Sequence, residues 1–270
     1  HRSAFRGITS GTTIMANDIN NDIFHRVNLV LGEEFVRRAG DMKVIVLGLG
    51  GVGSWCAEGL FRTGFTNMTI VDCDTVNATN INRQMPALST TIGKKKTEVV
   101  KERLLEINGD AQVTVIDKAY TEADHADFNL ADYDIIIDAI DSLTNKAALI
   151  LEAASYDNKI FVSSMGAASK IDATQISIAE FWKVAGCPLA AAIRKRFKKF
   201  KTLPKHKFKC IYSPEIPYRR DEYLTEEDKS SSKQVNGSLI HITGIFGFMI
   251  TNVVVNEVMK RINSVDNQAE

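Results

Sequence analysis

The chain contains 270 residues, of which 44% are hydrophobic and 24% are charged. This composition is typical of a globular protein and excludes a disordered or collagen-like chain. Lys and Arg together number 33, as do Asp and Glu, so the formal net charge is zero. Net charge therefore indicates no polyanionic partner, and any basic site must be local.

The chain has four cysteines, none of them in a CxxC pair: Cys56, Cys73, Cys187 and Cys210. They are too few for a disulfide framework, which indicates a reducing, cytoplasmic compartment. For Cys187 and Cys210 we expect a structural role rather than a nucleophilic one. Residues 1–14 contain no apolar signal core, and Met15 begins a segment typical of a natural start. We expect residues 1–14 to be added or linker sequence.

Between residues 43 and 164, short β-branched runs alternate with longer helical patterns. Five uninterrupted runs predict strands buried on both faces: Lys43–Leu47, Asn67–Val71, Gln112–Ile116, Asp134–Ile137 and Lys159–Ser163. Apolar residues at spacings near 3.6 predict three intervening helices: Val52–Arg62, Lys94–Ile107 and Leu143–Ser155. The alternation predicts an α/β fold with a doubly wound, mostly parallel, Rossmann-like sheet.

The pattern changes after Ser164. Alternation over Lys170–Ile178 predicts one more strand, and Ala179–Phe200 has a helical pattern. We therefore divide the chain into a first domain, residues 15–164 with an N-terminal helical arm, and a smaller C-terminal lobe, residues 165–270.

The stretch from Arg194 to Lys209 contains nine Lys and Arg residues, one His and no acid. One interpretation is a solvated surface. The other is a polyanion contact in which phosphates meet the cations and bases stack on interleaved aromatic rings. The residues concerned are Arg194, Lys198, Lys199 and Lys201 with Phe197, Phe200 and Phe208. The sequence leaves both interpretations open.

The longest uncharged run, Gly237–Asn256, is about long enough to cross a bilayer. Its polar residues, among them His241 and Asn252, favour a helix buried in the protein core or in a subunit interface. We expect no stable membrane span. Peripheral membrane association through this helix is the alternative.

The first predicted strand leads into a glycine-rich turn and then a helix. The glycines at 48, 50, 51 and 53 allow close backbone approach, so that phosphates can meet the amides of a helix N-terminus. Asp72 follows Gly53 by nineteen residues, at the end of the second strand, where it can accept hydrogen bonds from ribose. Gly48, Gly50, Gly51, Gly53 and Asp72 thus predict a nucleotide site. Alone, they fit an NAD-dependent oxidoreductase equally well.

The residues after Asp72 favour triphosphate chemistry, because they have no role in hydride transfer. Arg83 can clamp a phosphate with two hydrogen bonds, and Lys96 can place a point charge on departing pyrophosphate. Asn80 can orient either group. Asp138 and Asp141 follow the fourth strand and suit a hard cation such as Mg²⁺. Alternatively, these two acids cap the helix that follows.

Three strings in the chain together resemble the ubiquitin-activating-enzyme-like adenylyltransferase superfamily: GLGGVGSW, DCDTVNATNINRQ and GKKK. The resemblance covers Phe24 to about Ile262. It implies an ATP site in which Asp72 holds the ribose, Asp74 also binds the nucleotide, Asn80, Arg83 and Lys96 bind the triphosphate, and Asp141 supports a magnesium-assisted attack on the α-phosphate. Arg26 matches an arginine that family members lend to the ATP of a partner subunit, which implies a homodimer.

Within this superfamily, members that activate sulfur-carrier proteins usually carry two CxxC zinc pairs, and this sequence has none. The strings MGAASKIDATQISIAE, CPLAAAIRKRF and KCIYSPE instead resemble the tRNA threonylcarbamoyladenosine dehydratases. That resemblance implies ATP-dependent cyclisation of N6-threonylcarbamoyladenosine in tRNA through an acyl-adenylate. The alternative is activation of the C-terminus of a ubiquitin-like sulfur carrier, with sulfur-relay proteins as partners.

Lys170 lies in the loop that carries this resemblance. It is predicted either to contact the activated carboxylate or a tRNA phosphate, or to form a salt bridge with Asp172. Lys170, Arg194, Lys198, Lys199 and Lys201 are therefore the predicted tRNA contacts.

Overall fold

The computed structural model describes residues 16–230 and 236–269. Its strands are β1 Lys43–Leu47, β2 Asn67–Val71, β3 Gln112–Ile116, β4 Ile135–Asp138, β5 Ile160–Ser164, β6 Ser177–Glu180 and β7 Lys209–Tyr212. Its α-helices are α1 Ala16–Leu31, α2 Glu33–Asp41, α3 Gly53–Arg62, α4 Lys96–Ile107, α5 Leu143–Ala153, α6 Pro188–Phe200, α7 Glu226–Ser230 and α8 Ile240–Ala269. The predicted linker, residues 1–14, lies outside the described residues.

The seven strands form one sheet in the order β3-β2-β1-β4-β5-β7-β6. Neighbouring strands are parallel except for β6, which is antiparallel to β7. The order of the strands along the sheet reverses between β1 and β4, so the connections that leave their carboxyl ends diverge and open a crevice there. The predicted α/β, mostly parallel fold is confirmed.

Helices cover both faces of the sheet. Val44 and Val46 of β1 pack into the core formed with α2, α3, α4 and α8. Ile45 and Leu47 point the other way, into the core formed with α5 and α6. Successive side chains of a strand face opposite sides, so burial on both sides explains the unbroken apolar runs.

The first three strands have the predicted bounds, and β4 and β5 each begin one residue later than predicted. The predicted strand over Lys170–Ile178 is wrong for most of its length. Asp172 accepts a hydrogen bond from the Thr174 amide and starts a short 3-10 turn, so β6 begins only at Ser177. The predicted helix from Ala179 is also wrong at its start, because α6 begins at Pro188.

The residues after 164 continue the same sheet. β7 pairs with β5, β6 pairs with β7, and α8 packs in the core beneath α3. The predicted C-terminal lobe therefore shares its sheet and both of its large hydrophobic cores with the first domain. The proposed boundary near residue 164 crosses a continuous structure.

One helix among the described residues, α8, is long and apolar enough over Ile240–Ser264 to cross a membrane by length and composition. Half of that window is buried inside the protein. Ile242, Phe246 and Ile250 are fully buried at helical spacing. A Cβ atom at Gly247 would lie 2.6 Å from the carbonyl oxygen of Val52 in the turn before α3. This is the packing of a core helix.

Candidate active site

The glycine-rich loop, residues 48–53, joins β1 to α3 at the crevice. Gly48 has a φ of 93°, and a Cβ there would lie 2.7 Å from the Ala139 carbonyl oxygen. A Cβ at Gly53 would lie 1.8 Å from the Gly48 carbonyl oxygen. A Cβ at Gly51 would lie 3.0 Å from the Thr243 side chain, whereas a Cβ at Gly50 would make only an ordinary contact with Gln84 Nε2 at 3.9 Å. The loop is thus tightly folded and ends in a helix N-terminus suited to phosphate.

Asp72 holds this loop in place. Its carboxylate accepts hydrogen bonds from the amides of Leu49 at 2.7 Å and Asp74 at 2.8 Å. Each carboxylate oxygen has a second lone pair that a ribose hydroxyl can use. Binding of ribose by Asp72 remains a prediction, and its link to the glycine loop is a role that the sequence did not reveal.

Lys96 opens α4 and points back to the end of β2. Its Nζ atom lies 2.8 Å from Asp74 and 3.9 Å from Asp72, and only 5% of its side chain is exposed. The ammonium group is therefore held beside the glycine loop, as its predicted role requires. The Asp74 side chain is 64% exposed, so it can move aside for a phosphate.

Asn80 and Arg83 lie in the connection that follows β2. The Asn80 side-chain oxygen accepts a hydrogen bond from the Asn77 amide and thereby caps a 3-10 turn. Arg83 donates through Nη1 to the Thr79 carbonyl at 2.9 Å, and its own carbonyl accepts a bond from Trp55 Nε1 at 3.0 Å. The backbone of Arg83 is thus anchored to α3, and its side chain is oriented by its own turn.

The charges of Arg83 and Asp141 are close enough to influence each other. Burial lowers the pKa of Arg83, and the negative charge of Asp141 opposes that shift. Arginine nevertheless stays protonated at neutral pH. Asp141 is exposed in the connection between β4 and α5. Binding of a triphosphate by Arg83 and of Mg²⁺ by Asp141 stays a prediction.

Asp138 is not available to a metal, so that prediction is wrong. Its carboxylate is fully buried, 2.8 Å from Lys146 Nζ and 2.6 Å from Ser163 Oγ. Its remaining oxygen accepts a bond from the Ile140 amide at 3.1 Å. The residue that precedes α5 is Ser142, so neither acid is its N-cap. The sequence analysis did not identify Lys146. A lysine in the first turn of a mostly apolar helix was a signal that it pairs with a buried acid.

Lys170 lies in the loop that follows β5. Its Nζ donates to the Glu215 carbonyl oxygen. Burial lowers the pKa of Lys170. The predicted salt bridge with Asp172 is wrong, because that carboxylate accepts bonds from Thr174 and Gln175. Contact between Lys170 and the substrate stays a prediction.

The basic stretch divides between the core and the surface. Lys198, Lys199, Phe200 and Lys201 are exposed at the end of α6. Arg194 instead donates to the carbonyls of Phe181 and Val184 at 3.0 and 2.9 Å. We therefore remove Arg194 from the proposed tRNA contacts.

Two of the three aromatic rings in this stretch belong to the core. Phe197 is 1% exposed and Phe208 is 6% exposed. The prediction that they stack on bases is wrong, and Phe200 alone of the three remains accessible.

Three of the four cysteines, all except Cys73, are buried. Burial raises the pKa of Cys56 and of Cys210 well above the ordinary range. A thiol that stays protonated is a poor nucleophile. Within the described part of the chain, the hydrogen bonds and ion pairs of Asp72, Lys96 and Arg83 include none of these buried thiols.

The profile of the ThiF family matches residues 25–270 of the chain. The tRNA threonylcarbamoyladenosine dehydratase of Haemophilus influenzae is 36% identical over 93% of this chain and 99% of that protein. The Escherichia coli tRNA threonylcarbamoyladenosine dehydratase is 34% identical over 92% of this chain and 98% of that protein. Similarity to the E. coli molybdopterin-synthase adenylyltransferase, 31% identical, is confined to 38% of this chain.

Solved structures agree with this grouping. The E. coli tRNA N6-threonylcarbamoyladenosine dehydratase in complex with AMP superposes with a TM-score of 0.82 at 32% identity, covering 93% of this chain and 100% of that one. Its complex with ATP superposes with a TM-score of 0.79 over 95% of this chain and 100% of that one. These relatives match over nearly their whole length, and the family profile matches residues 25–270, so the chain belongs to the ThiF family.

Proposed function

We propose that this protein uses ATP to dehydrate N6-threonylcarbamoyladenosine in tRNA. The observation that carries the proposal is the position of Lys96, beside Asp72 and Asp74 at the end of β2, together with the charge interaction between Arg83 and Asp141 in the connections that follow β2 and β4. These charges suit a triphosphate and have no use in hydride transfer. The NAD-dependent interpretation is therefore dropped.

The extent of the similarity favours tRNA over a sulfur carrier as the acceptor. The dehydratases match over 93% and 92% of the chain, whereas the molybdopterin-synthase adenylyltransferase matches over 38%. The first domain, residues 15–164, then supplies ATP binding, and residues 165–270 supply most contacts to tRNA. Activation of a sulfur carrier, with sulfur-relay partners, is the alternative that the experiment below tests.

The first chemical step forms an acyl-adenylate. An oxygen of the threonyl carboxylate attacks the α-phosphorus, and the bond between that phosphorus and the pyrophosphate oxygen breaks. Lys96 and Arg83 stabilise the charge that develops on the departing pyrophosphate, while Asp72 holds the ribose. Asp141 and the phosphates would hold Mg²⁺, which usually binds one or two carboxylates plus phosphate oxygens and neutralises phosphate charge.

The second step closes a ring. The carbamoyl oxygen attacks the activated acyl carbon, the bond to AMP breaks, and a proton leaves the carbamoyl nitrogen. One carboxylate oxygen has then passed to AMP, so the nucleoside has lost the elements of water. Because the nucleophile belongs to the substrate, its high effective concentration replaces an enzyme nucleophile. The step therefore needs no cysteine nucleophile.

The protein is proposed to act as a cytoplasmic homodimer in which Arg26 of each subunit reaches the ATP of the other. Arg26 is exposed on α1, as this role requires. Lys170, Lys198, Lys199 and Lys201 remain the proposed contacts to tRNA.

Incubation with ATP, Mg²⁺ and tRNA that contains N6-threonylcarbamoyladenosine tests the function. After digestion, mass spectrometry should find a nucleoside lighter by one water. An unchanged mass would reject the dehydratase proposal. If exchange of pyrophosphate into ATP requires a ubiquitin-like carrier and is not stimulated by tRNA, the protein instead activates a sulfur carrier.

A further inference from the structure

A cavity of about 370 Å³ lies between α5 and α6. Its floor is apolar and is formed by Ala147, Ala148, Leu151 and Phe197. Its rim is polar and aromatic and is formed by Glu122, Arg196, Phe200 and Thr202. This volume falls near the lower end of the range of about 300–1,000 Å³ that is usual for small-molecule sites. An apolar floor with a few polar groups at the rim suits a flat heterocycle better than a bare ion.

Phe200 distinguishes this rim from an ordinary gap between helices. The ring is 57% exposed at the last residue of α6. The Arg196 Cζ atom lies 5.1 Å from its centroid, and the Lys199 Nζ atom lies 5.6 Å from it. Exposed rings flanked by cations are the means by which proteins stack on the bases of single-stranded nucleic acid while attracting its phosphates.

The charge around the cavity selects the occupant. Lys195, Lys198 and Lys201 are exposed on the same stretch of chain as Arg196 and Lys199. Since the whole chain has no net charge, this is a local concentration of positive charge. A strand of nucleic acid offers both the phosphates for these cations and the bases for the apolar floor.

We propose that this cavity binds an unstacked base of the tRNA substrate, with Phe200 as the stacking surface and Arg196 and Lys199 at the adjoining phosphates. The inference rests on the proposed function for the identity of the RNA. The Glu122 carboxylate on the rim can accept a hydrogen bond from an exocyclic amino group of that base, as acidic side chains do from cytosine.

The position of the cavity fits this role. α5 begins at Leu143, two residues after Asp141, and its residue Ala148 lines the cavity. At 1.5 Å per residue, Ala148 lies about 8 Å along the helix axis from Leu143. The base in the cavity and the acyl group at Asp141 can therefore belong to one short stretch of RNA.

The test measures the affinity for unmodified tRNA over a series of salt concentrations. Phe200→Leu keeps an apolar side chain but removes the ring, and it should weaken binding by roughly 5- to 100-fold at every salt concentration. Phe200→Tyr keeps the ring and should bind as the original protein does. The double variant Lys198→Gln/Lys201→Gln should instead flatten the dependence of affinity on salt, because fewer counterions are released.

Wild-type affinity of Phe200→Leu would overturn the inference, and so would equal losses in the Leu and Tyr variants. Thermal unfolding midpoints close to that of the original protein would exclude misfolding, as expected for an exposed side chain. Unmodified tRNA undergoes no reaction, so this result is independent of the dehydration assay. Ring-dependent binding with no loss of water would reject only the proposed function, and loss of water with wild-type binding by Phe200→Leu would reject only the cavity.

Discussion

The Nζ atom of Lys146 lies 2.8 Å from the Oδ2 atom of Asp138, and neither side chain is exposed to solvent. Lys146 also donates to the Ile140 carbonyl at 3.0 Å, and Asp138 also accepts from Ser163. The pair thus connects β4, β5 and α5 beneath the connection that presents Asp141. Removing two charges from water is costly, and the cost is offset only where their hydrogen bonds are satisfied.

Lys146→Met should destabilise the protein by about 3–5 kcal/mol, because it leaves a buried carboxylate without its partner. Urea unfolding at neutral pH measures the effect. Lys195→Met, at an exposed position on α6, is the matched control and should change stability by less than about 0.5 kcal/mol. If both variants unfold at the same urea concentration, the pair does not stabilise the fold.

Arg83→Ala should lower the rate of turnover more than it weakens ATP binding. Its interactions are expected to strengthen as charge builds on the phosphates in the transition state, so a loss of about 10²–10³-fold in kcat is expected. Calorimetry gives the Kd for ATP, and loss of water from the nucleoside gives kcat. Equal losses in both would show that Arg83 contributes to ground-state binding instead. Arg261→Ala, exposed on α8, serves as the control.

Arg26→Ala and Arg83→Ala should complement each other in mixed dimers. If Arg26 completes the partner's site, a heterodimer of the two variants contains one site with both arginines and one with neither. About half of the activity per heterodimer should therefore return, although each homodimer is inactive. Differently tagged subunits allow the heterodimer to be purified and assayed. No recovery at all would oppose an arginine supplied by the partner.

Gly247→Ala should destabilise the protein by about 1–3 kcal/mol despite the better helix propensity of alanine. The new Cβ would lie 2.6 Å from the Val52 carbonyl oxygen and 2.9 Å from the Cys56 amide nitrogen, and both are backbone atoms. At Gly244 in the same helix, the nearest atom, on Trp55, would be 3.8 Å away. Gly244→Ala should be neutral or stabilising. Thermal unfolding of the pair measures the difference, and equal midpoints would mean that α8 and α3 can separate at no cost.

Stability should fall in acid partly through Glu58, which joins α3 to α4. Burial alone would raise the pKa of Glu58, but hydrogen bonds from Arg103 and Arg62 outweigh burial and lower it. A lowered pKa in the folded state adds stability above the unfolded value of about 4.3, and this stability is lost as pH falls towards the folded value.

Denaturant unfolding of the original protein and of Glu58→Gln from pH 7 down to pH 3 checks this contribution. The difference between them should be largest at neutral pH and should shrink below about pH 4.3. Glu98→Gln, at an exposed position on α4, should show little difference at any pH. If the gap between the original protein and Glu58→Gln persists undiminished at pH 3, the Glu58 carboxylate does not stabilise the fold through a lowered pKa.

The parts of the fold with strong local signals could be predicted from the sequence. The strands β1 and β2 are mostly apolar runs with four buried residues each, and the glycine loop directly follows β1. β3 has the predicted bounds, but the prediction that it is buried on both faces is wrong, because it is an edge strand on which only Val113 is buried. By contrast, β7 is four residues long and follows a run of lysines, and it is ordered by pairing with β5 and β6. Pairing between distant segments leaves no periodic signal in so short a stretch.

Among the site residues, too, the sequence predicts the position in the chain but not the direction in which a side chain points. The sequence predicts that Asp138 and Asp141 lie near the end of β4. Only the fold reveals that the Asp138 side chain is buried in the protein, whereas Asp141 is exposed to solvent. For Phe197, a helical wheel could have corrected the prediction. It lies four residues after Ile193 and seven after Ala190, and all three are buried on one face of α6.

The contact between Gly51 and Thr243 connects the glycine loop after β1 to the helix α8 in the C-terminal part of the chain. Asn82 donates to the Ser238 carbonyl at 2.8 Å, so the connection after β2 is also joined to the segment that leads into α8. A fragment that stops at residue 164 would lose this wall of the crevice and would expose the apolar side of α3. Such a fragment should aggregate or fail to retain nucleotide, so the two halves of this chain cannot be exchanged among relatives as separate modules.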